Sequence, residues 1–154
     1  MGYRIQNNAR CGVIGYGSWA TALVHTLEKN KKEIWWHIRN EEVLESMQTE
    51  GRNAKYLNDI EFNKDKIVAT SDLDEVVRNC EIILVAAPSA YLKKFLEELT
   101  EPLDGKFIIS ATKGIVPDEL ITITEYFNRT YNLPYSNIGV ISGPSHAEEV
   151  ADNK

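Results

Sequence analysis

The sequence predicts an α/β domain whose helices cover both faces of a mostly parallel, doubly wound sheet. Three observations carry this prediction. Short apolar runs alternate about six times with longer amphipathic stretches, which is typical of strands joined by helical crossovers. The stretch from Ile82 to Ala87 is apolar throughout, as expected for a strand buried on both faces. A glycine-rich turn at residues 15–17 follows the first strand and opens the first helix, which is where such folds bind ligands.

The first half of the chain contains three predicted strand–helix units. The strands span residues 11–15, 33–38 and 66–69, and the helices span residues 18–29, 41–50 and 71 or 72 to 77. Apolar residues at helical spacing give the first helix one buried face. Asn40 is a suitable N-cap for the second helix, and Gly51 is suited to end it. The polar segment 52–65 is expected to form a surface loop.

The second half of the chain continues the alternation. Its strands span residues 81–86, 106–110 and 138–142, and its helices span residues 89–99 and 118–131. Ser89 is expected to cap the fourth helix, because a serine side chain accepts hydrogen bonds from the first turn. Residues 147–151 have the pattern of a new helix close to the end of the sequence. We therefore expect residues 1–154 to be one domain whose sequence is cut short.

Composition and charge exclude several classes of protein. The chain has 154 residues, a net charge of −6, and 43% hydrophobic and 26% charged residues, which fits one globular domain. An acidic chain is poorly suited to nucleic acid, and no apolar run approaches the roughly 18–20 residues of a membrane span. The N-terminus lacks the apolar core of a secretory signal, so a cytoplasmic location is expected. Cys11 and Cys80 are expected to be reduced and buried, and no cysteine or histidine has metal-ligand spacing.

The turn from Gly15 to Ala20 fits the dinucleotide-binding fingerprint GxGxxG/A of Rossmann domains. Gly15 permits the tight turn, and Gly17 has no side chain to obstruct a diphosphate that approaches the backbone. Ala20 is small enough for close packing of the helix on the strand. The free N–H groups and the positive dipole end of the helix would then face the diphosphate. The segment therefore predicts a site for NAD or NADP.

Arg39 stands at the end of the second strand, where a Rossmann domain usually places an acidic residue on the adenosine ribose. A guanidinium at this place can pair with the 2′-phosphate of NADPH or stack on the adenine. The alternative interpretation is a solvated arginine at the start of a helix.

Three further strand ends are expected at the same carboxyl edge of the sheet, where open α/β folds bind ligands. They are residues 87–89, 112–114 and 142–145, and Pro88 in the first of them is expected to border the cofactor. Lys113 directly follows an apolar strand, a position that packing explains poorly. Its ammonium group could polarise a substrate carbonyl or hold an anionic substrate.

Taken in order along the chain, these residues resemble the N-terminal domain of bacterial NAD(P)-dependent glycerol-3-phosphate dehydrogenases. The resemblance covers essentially the whole chain. It rests on residues 15–19 with 21–23, Trp36 with Arg39, Asn53 with Tyr56 and Leu57, and the segments 87–89, 111–114, 142–145 and 147–150. It implies that the whole enzyme reversibly reduces dihydroxyacetone phosphate to sn-glycerol 3-phosphate with NADPH or NADH, in the service of glycerophospholipid synthesis.

The resemblance also implies roles for individual residues. Ser18, Trp19, Arg39, Tyr56 and Ala147 would contact the cofactor, Lys113 would meet both cofactor and substrate, and Gly143 and Ser145 would bind the glycerol phosphate. Lys113 is therefore the predicted catalytic residue. A helical second domain, absent from this sequence, would supply a lysine for proton transfer and an Arg-Asn pair for the substrate phosphate. The chain alone is expected to lack activity, and the whole enzyme is a candidate homodimer.

Two departures from the family pattern and two other functions stay open at this point. Alanine stands at position 20 where the family has a third glycine, and His146 stands where it has phenylalanine. A 3-hydroxyacid dehydrogenase or a ketopantoate reductase shares the first fingerprint, but neither is expected to have the Thr-Lys-Gly and Gly-Pro-Ser elements in these places. The other alternative is a nucleotide-sensing module without catalysis.

Overall fold

Eight strands appear in the computed structural model, which describes residues 8–31, 33–112, 114–141 and 151. They are β1 (Cys11–Ile14), β2 (Ile34–His37), β3 (Ile67–Thr70), β4 (Ile82–Val85), β5 (Phe107–Ser110), β6 (Ile115–Val116), β7 (Ile121–Thr122) and β8 (Ile138–Val140). Six of them form a parallel sheet in the order β3-β2-β1-β4-β5-β8. This is the strand order of a doubly wound Rossmann domain, so the predicted fold class is confirmed.

Five α-helices connect the strands in the described part of the chain. They are α1 (Ser18–Glu28), α2 (Glu41–Glu50), α3 (Leu73–Asn79), α4 (Leu92–Leu96) and α5 (Ile123–Tyr131), with 3-10 turns at Ser89–Tyr91 and Tyr135–Asn137. The Asn40 side chain accepts a hydrogen bond from Val43 N, and Gly51 ends α2 in a left-handed conformation. Both ends of the second helix are therefore as predicted. Of the two expected starts for α3, the structure has Asp72 as the N-cap.

Two helices differ from the prediction in their starts. The helix predicted from residue 118 begins at Ile123, where the Thr122 side chain caps it by accepting from Glu125 N. The preceding residues form the β6–β7 hairpin instead, in which Leu120 has φ +55°. Ser89 was expected to cap the fourth helix, but it begins a 3-10 turn, and the α-helical part is only Leu92–Leu96. Local apolar spacing marks both helices but does not mark where the chain turns back on itself.

The core lies in two layers, one on each face of the sheet. Neighbouring strand residues point to opposite faces, so Ile14 and Val85 belong to one layer while Val13 and Leu84 belong to the other. The first layer is covered by α3, α4 and α5, and the second by α1 and α2. All four residues of β4 are buried, as predicted for a strand covered on both sides. Among the described helices, none has both the length and the apolar content needed to cross a bilayer.

Candidate functional site

A cleft of about 500 Å³ opens at the carboxyl ends of β1, β2 and β4. Strand order reverses here, since β1 lies between β2 and β4, and ligands of open α/β sheets bind at such a switch point. The cleft is lined by Tyr16, Gly17, Arg39, Asn40, Tyr56, Pro88, Tyr91, Lys94 and Phe95. Four of these residues were predicted from the sequence to contact a cofactor: Gly17, Arg39, Tyr56 and Pro88. Their role in binding stays a prediction, but the structure brings them together.

Gly15 forms the tight turn that leads from β1 into the cleft. Its φ of +115° is one that residues with a side chain rarely adopt, and a Cβ atom would lie 2.9 Å from the carbonyl carbon and oxygen of Ala86. Its own carbonyl oxygen accepts a 2.6 Å hydrogen bond from Nε1–H of Trp36, a fully buried side chain on β2. The turn therefore packs closely against the end of β4 and is hydrogen-bonded to β2.

Gly17 differs from Gly15, because its backbone is unstrained and the absent side chain leaves open space before the N-terminus of α1. Its φ of −77° and ψ of −170° suit any residue. Apart from its chain neighbours, no atom of the described residues lies within 4 Å of the position that a Cβ would take. As the N-cap of α1 it has no side chain to bond the first turn, so the start of the helix opens onto the cleft. An uncapped helix N-terminus with free space before it fits a diphosphate.

Replacing Gly15 by alanine should lower the free energy of unfolding by about 2–3 kcal/mol, because the new methyl group meets the Ala86 backbone and the positive φ is strained. Chemical denaturation of the two proteins measures this difference. Gly139→Ala is the matched control, because its Cβ would make ordinary contacts of 3.4 Å or more with Phe107 and Ile109. An equal loss in both variants would show that the Gly15 turn is not unusually tight.

Arg39 lines the cleft at the end of β2, and its side chain makes three contacts with α4 and the residues that follow it. Its guanidinium carbon is 5.5 Å from the centre of the Phe95 ring, a cation–π distance. Nη1–H donates to the carbonyl oxygen of Lys94 at 3.5 Å, and Nη2 is 3.8 Å from Oε1 of Glu98. The Arg39 side chain thus rests against α4 at the cleft, and its contact with a cofactor stays a prediction.

His37 packs edge-on against the same Phe95 ring, with ring centres 6.3 Å apart. Burial lowers the pKa of His37 from its usual value, because the charged imidazolium loses its hydration. The side chain is therefore neutral at pH 7. Among the described residues, the positive charge that lines the cleft comes from Arg39 and Lys94.

The loop after β5 is hydrogen-bonded to α1 and to the segment that follows β4. Trp19 on α1 donates its Nε1–H to the carbonyl oxygen of Ala111 at 2.9 Å. The Thr112 hydroxyl lies 2.6 Å from the carbonyl oxygen of Ala87, and a Cβ on Gly114 would lie 3.3 Å from Oγ of Ser89. The described residues of these two strand ends, which were predicted to share one edge, therefore lie together. Lys113, Gly143, Ser145 and Ala147 lie outside the described residues.

Residues 10–154 match the family model described as the N-terminus of NAD-dependent glycerol-3-phosphate dehydrogenase. The chain belongs to this family. The resemblance read from the sequence, with the NAD(P) class of cofactor that it implied, is thereby confirmed. The match also favours this family over the 3-hydroxyacid dehydrogenase and ketopantoate reductase alternatives.

Individual relatives agree with this assignment to the glycerol-3-phosphate dehydrogenase family. A glycerol-3-phosphate dehydrogenase (NAD(P)+) of Oceanobacillus iheyensis is 36% identical over 143 residues, which are 92% of this chain and 41% of that protein. The solved glycerol-3-phosphate dehydrogenase of Plasmodium falciparum has a TM-score of 0.81 at 26% identity, over 94% of this chain and 43% of that one. The enzyme of Coxiella burnetii has a TM-score of 0.75 at 25% identity, over 96% and 45%. The chain thus spans under half the length of these family members.

The remaining cofactor-site residues predicted for this family member occupy the first turn of α1. Ser18 is its first residue and is half-buried. Trp19 is partly buried and packs on the second core layer, and its indole N–H is already used by Ala111. The structure therefore gives Trp19 an anchoring contact that the resemblance did not imply.

Sequence reasoning missed several residues that build the site. Tyr16, Asn40, Tyr91, Lys94 and Phe95 line the cleft without having been predicted to do so. Phe95, which had no predicted role, also supports Arg39 with its ring. Asn53 had no predicted role despite being a polar residue in a resemblance motif. A polar side chain inside a resemblance motif, with no other predicted function, is the signal that could have drawn attention to it.

Proposed function

We propose that this chain is the cofactor-binding domain of a glycerol-3-phosphate dehydrogenase and that it binds NADPH or NADH in the cleft. The observation that carries the proposal is the open space at Gly17 before the uncapped N-terminus of α1, at the switch point of the sheet. Residues 1–154 would form this domain, and a helical second domain of the whole protein would complete the active site.

The residues of the cleft divide the proposed work between them. The turn from Gly15 to Ser18 binds the diphosphate, because its N–H groups and the helix dipole favour negative charge. Arg39 and Lys94 receive the adenosine end, where a guanidinium and an ammonium can bind a 2′-phosphate. The residues that follow β4 and β5, Pro88 and Thr112, border the nicotinamide end of the cofactor. The cofactor supplies the hydride that reduces the ketone.

Lys113, Gly143 and Ser145 carry the substrate part of the proposal. Lys113 would place its ammonium group at the substrate oxygen and stabilise the negative charge that develops there. Gly143 and Ser145 would bind the phosphate end of dihydroxyacetone phosphate or sn-glycerol 3-phosphate. The proton for the product hydroxyl would come from a lysine of the second domain.

Titration calorimetry of the 154-residue chain with NADPH and with NADH tests cofactor binding directly. We expect saturable binding of both. Since a ligand at 100 times its dissociation constant stabilises the native state by about 2.7 kcal/mol, the midpoint of thermal unfolding should also rise. If neither cofactor releases heat or shifts the midpoint at millimolar concentration, the proposed function is wrong.

Arg39→Asp should change cofactor preference. It removes the guanidinium beside the cleft and adds a carboxylate that repels a 2′-phosphate and can bind ribose hydroxyls. The ratio of NADPH affinity to NADH affinity should fall by about 10- to 100-fold, since hydrogen bonds to charged groups contribute about 1.5–3 kcal/mol.

The control for this variant is Arg129→Asp, which makes the same charge change on α5, where Arg129 pairs only with Glu125 in the described structure. Its affinity ratio should equal that of the wild type. If Arg39→Asp weakens both cofactors alike, Arg39 contacts the adenine and not a 2′-phosphate. An unchanged ratio and unchanged affinities would remove Arg39 from the site.

We also propose a cytoplasmic location and a homodimer for the whole protein. The first is supported by Cys11 and Cys80, which are both buried as free thiols, as is usual in a reducing compartment. Light scattering on the whole protein tests the second, with twice the subunit mass as the expected result.

A further inference from the structure

Asn53 is a fully buried polar residue in the irregular segment between α2 and β3. Its amide group makes four hydrogen bonds. Nδ2–H donates to the carbonyl oxygen of Tyr16 at 3.0 Å and to Oγ1 of Thr21 at 2.9 Å. Oδ1 accepts from the backbone N–H groups of Lys55 at 3.0 Å and Tyr56 at 3.1 Å. Every donor and both lone-pair positions of the side chain are therefore used.

The hydrogen bonds continue from Asn53 through Thr21 into the fingerprint turn. The hydroxyl of Thr21, itself fully buried, donates to the carbonyl oxygen of Gly17 at 2.7 Å. Together with the Trp36 bond to Gly15, each of the three successive carbonyl groups of residues 15–17 accepts a side-chain hydrogen bond. Those to Gly15 and Tyr16 come from distant parts of the chain. The Tyr16 carbonyl depends on Asn53 directly. The Gly17 carbonyl also accepts the helical hydrogen bond from the backbone N–H of Thr21 at 2.9 Å, and Asn53 adds to this by orienting the Thr21 hydroxyl.

Holding these carbonyl groups also sets the direction of the N–H groups. In a trans peptide the C=O and the following N–H point in opposite directions. Fixing the Tyr16 and Gly17 carbonyls toward Asn53 and Thr21 therefore directs the N–H groups of Gly17 and Ser18 away from them. Gly17 lines the cleft, so this is the orientation in which N–H groups can meet an anion there.

Asn53 also reaches a second wall of the cleft. Its Oδ1 holds the backbone of Tyr56, whose side chain is 37% exposed and lines the same cleft as Gly17. One side chain thus connects the fingerprint turn to the loop that carries Tyr56.

We propose that Asn53 is a positioning residue of the cofactor site, which acts through Thr21 and the Tyr16 carbonyl to aim the N–H groups of Gly17 and Ser18 at the diphosphate. This inference rests on the proposed function. It differs from a purely structural role, in which Asn53 would hold the loop in place and would affect every ligand and the stability of the fold alike.

The experiment compares ligands with and without a diphosphate. Asn53→Leu removes all four hydrogen bonds at similar volume, and the probes are NADH, ADP and adenosine. Calorimetry with NADH and ADP, and chemical-shift titration with adenosine, give the three affinities. We expect NADH and ADP to lose affinity by about tenfold or more, since hydrogen bonds to a charged group are lost, while adenosine binding is unchanged.

Ser46→Ala is the matched control. The Ser46 hydroxyl donates to the carbonyl oxygen of Arg52 at 2.6 Å, so this variant loosens the same loop without touching the fingerprint turn. It should leave all three affinities at the wild-type values.

A second pair of variants keeps the inference testable if Asn53→Leu does not fold. Thr21→Val keeps the shape of the side chain and removes only the hydroxyl. Thr21→Ser keeps the hydroxyl and removes only the methyl group. NADH and ADP affinity should fall in Thr21→Val and recover in Thr21→Ser. Equal loss of adenosine and ADP binding, or no loss in Thr21→Val, would overturn the positioning role. Failure of the wild-type chain to bind NADH would instead overturn the proposed function.

Discussion

Replacing Gly17 by valine should abolish binding of NADPH and NADH while the domain stays folded. A branched side chain would occupy the space in front of α1, which is free of described atoms to 4 Å, and would exclude a diphosphate. We expect at least about a 100-fold loss of affinity by calorimetry, or about 2.7 kcal/mol. The backbone of Gly17 is in an extended conformation, so a valine at this cap should cost about 1 kcal/mol of stability.

Gly105→Ala is the control, because it should lower stability without changing cofactor affinity. Gly105 has φ +74° and open space around its Cβ position, so Gly105→Ala is strained but lies far from the fingerprint turn in sequence. It should lower the unfolding midpoint and leave cofactor affinity unchanged. If Gly17→Val binds NADH as tightly as the wild type, the diphosphate does not lie at this turn.

Replacing Lys113 by alanine in the whole protein should reduce turnover of dihydroxyacetone phosphate by about 10²–10³, the usual cost of removing one group that stabilises the developing charge. NADPH should still bind, because the diphosphate turn is untouched. Steady-state kinetics and a binding titration on the same preparation separate the two effects. The chain of 154 residues should show no turnover at all, since ketone reduction needs a proton donor within hydrogen-bond reach of the carbonyl oxygen.

Lys64→Ala is a suitable control for Lys113→Ala. Lys64 donates to the carbonyl oxygen of Thr49 on an exposed surface, and its loss should leave turnover unchanged. Near-normal activity in Lys113→Ala would make Lys113 a solvated residue at the end of a strand. Turnover by the 154-residue chain would show that the active site is complete within it.

The amino-acid sequence by itself determined the class of fold, the family and the place of the candidate cofactor site. The alternation of apolar runs and amphipathic stretches identified the six parallel strands, because burial on both faces leaves a continuous apolar run. Gly15 and Gly17 identified the site, because a tight turn and a close approach both require the absence of a side chain. Asn40 and Gly51 marked the ends of α2. All of these signals are local in the chain.

Only the tertiary structure decided what holds the site in shape. Trp36 was part of a resemblance motif without a predicted hydrogen bond, yet its indole N–H donates to the Gly15 carbonyl across 21 residues of sequence. Asn53 reaches the turn across 37 residues, and Arg39 rests on a ring from α4. The β6–β7 hairpin likewise replaced the predicted start of α5. The physical reason is the same in each case: local periodicity specifies which face of an element is buried, but a polar group's partner depends on which distant backbone the fold brings within hydrogen-bond range.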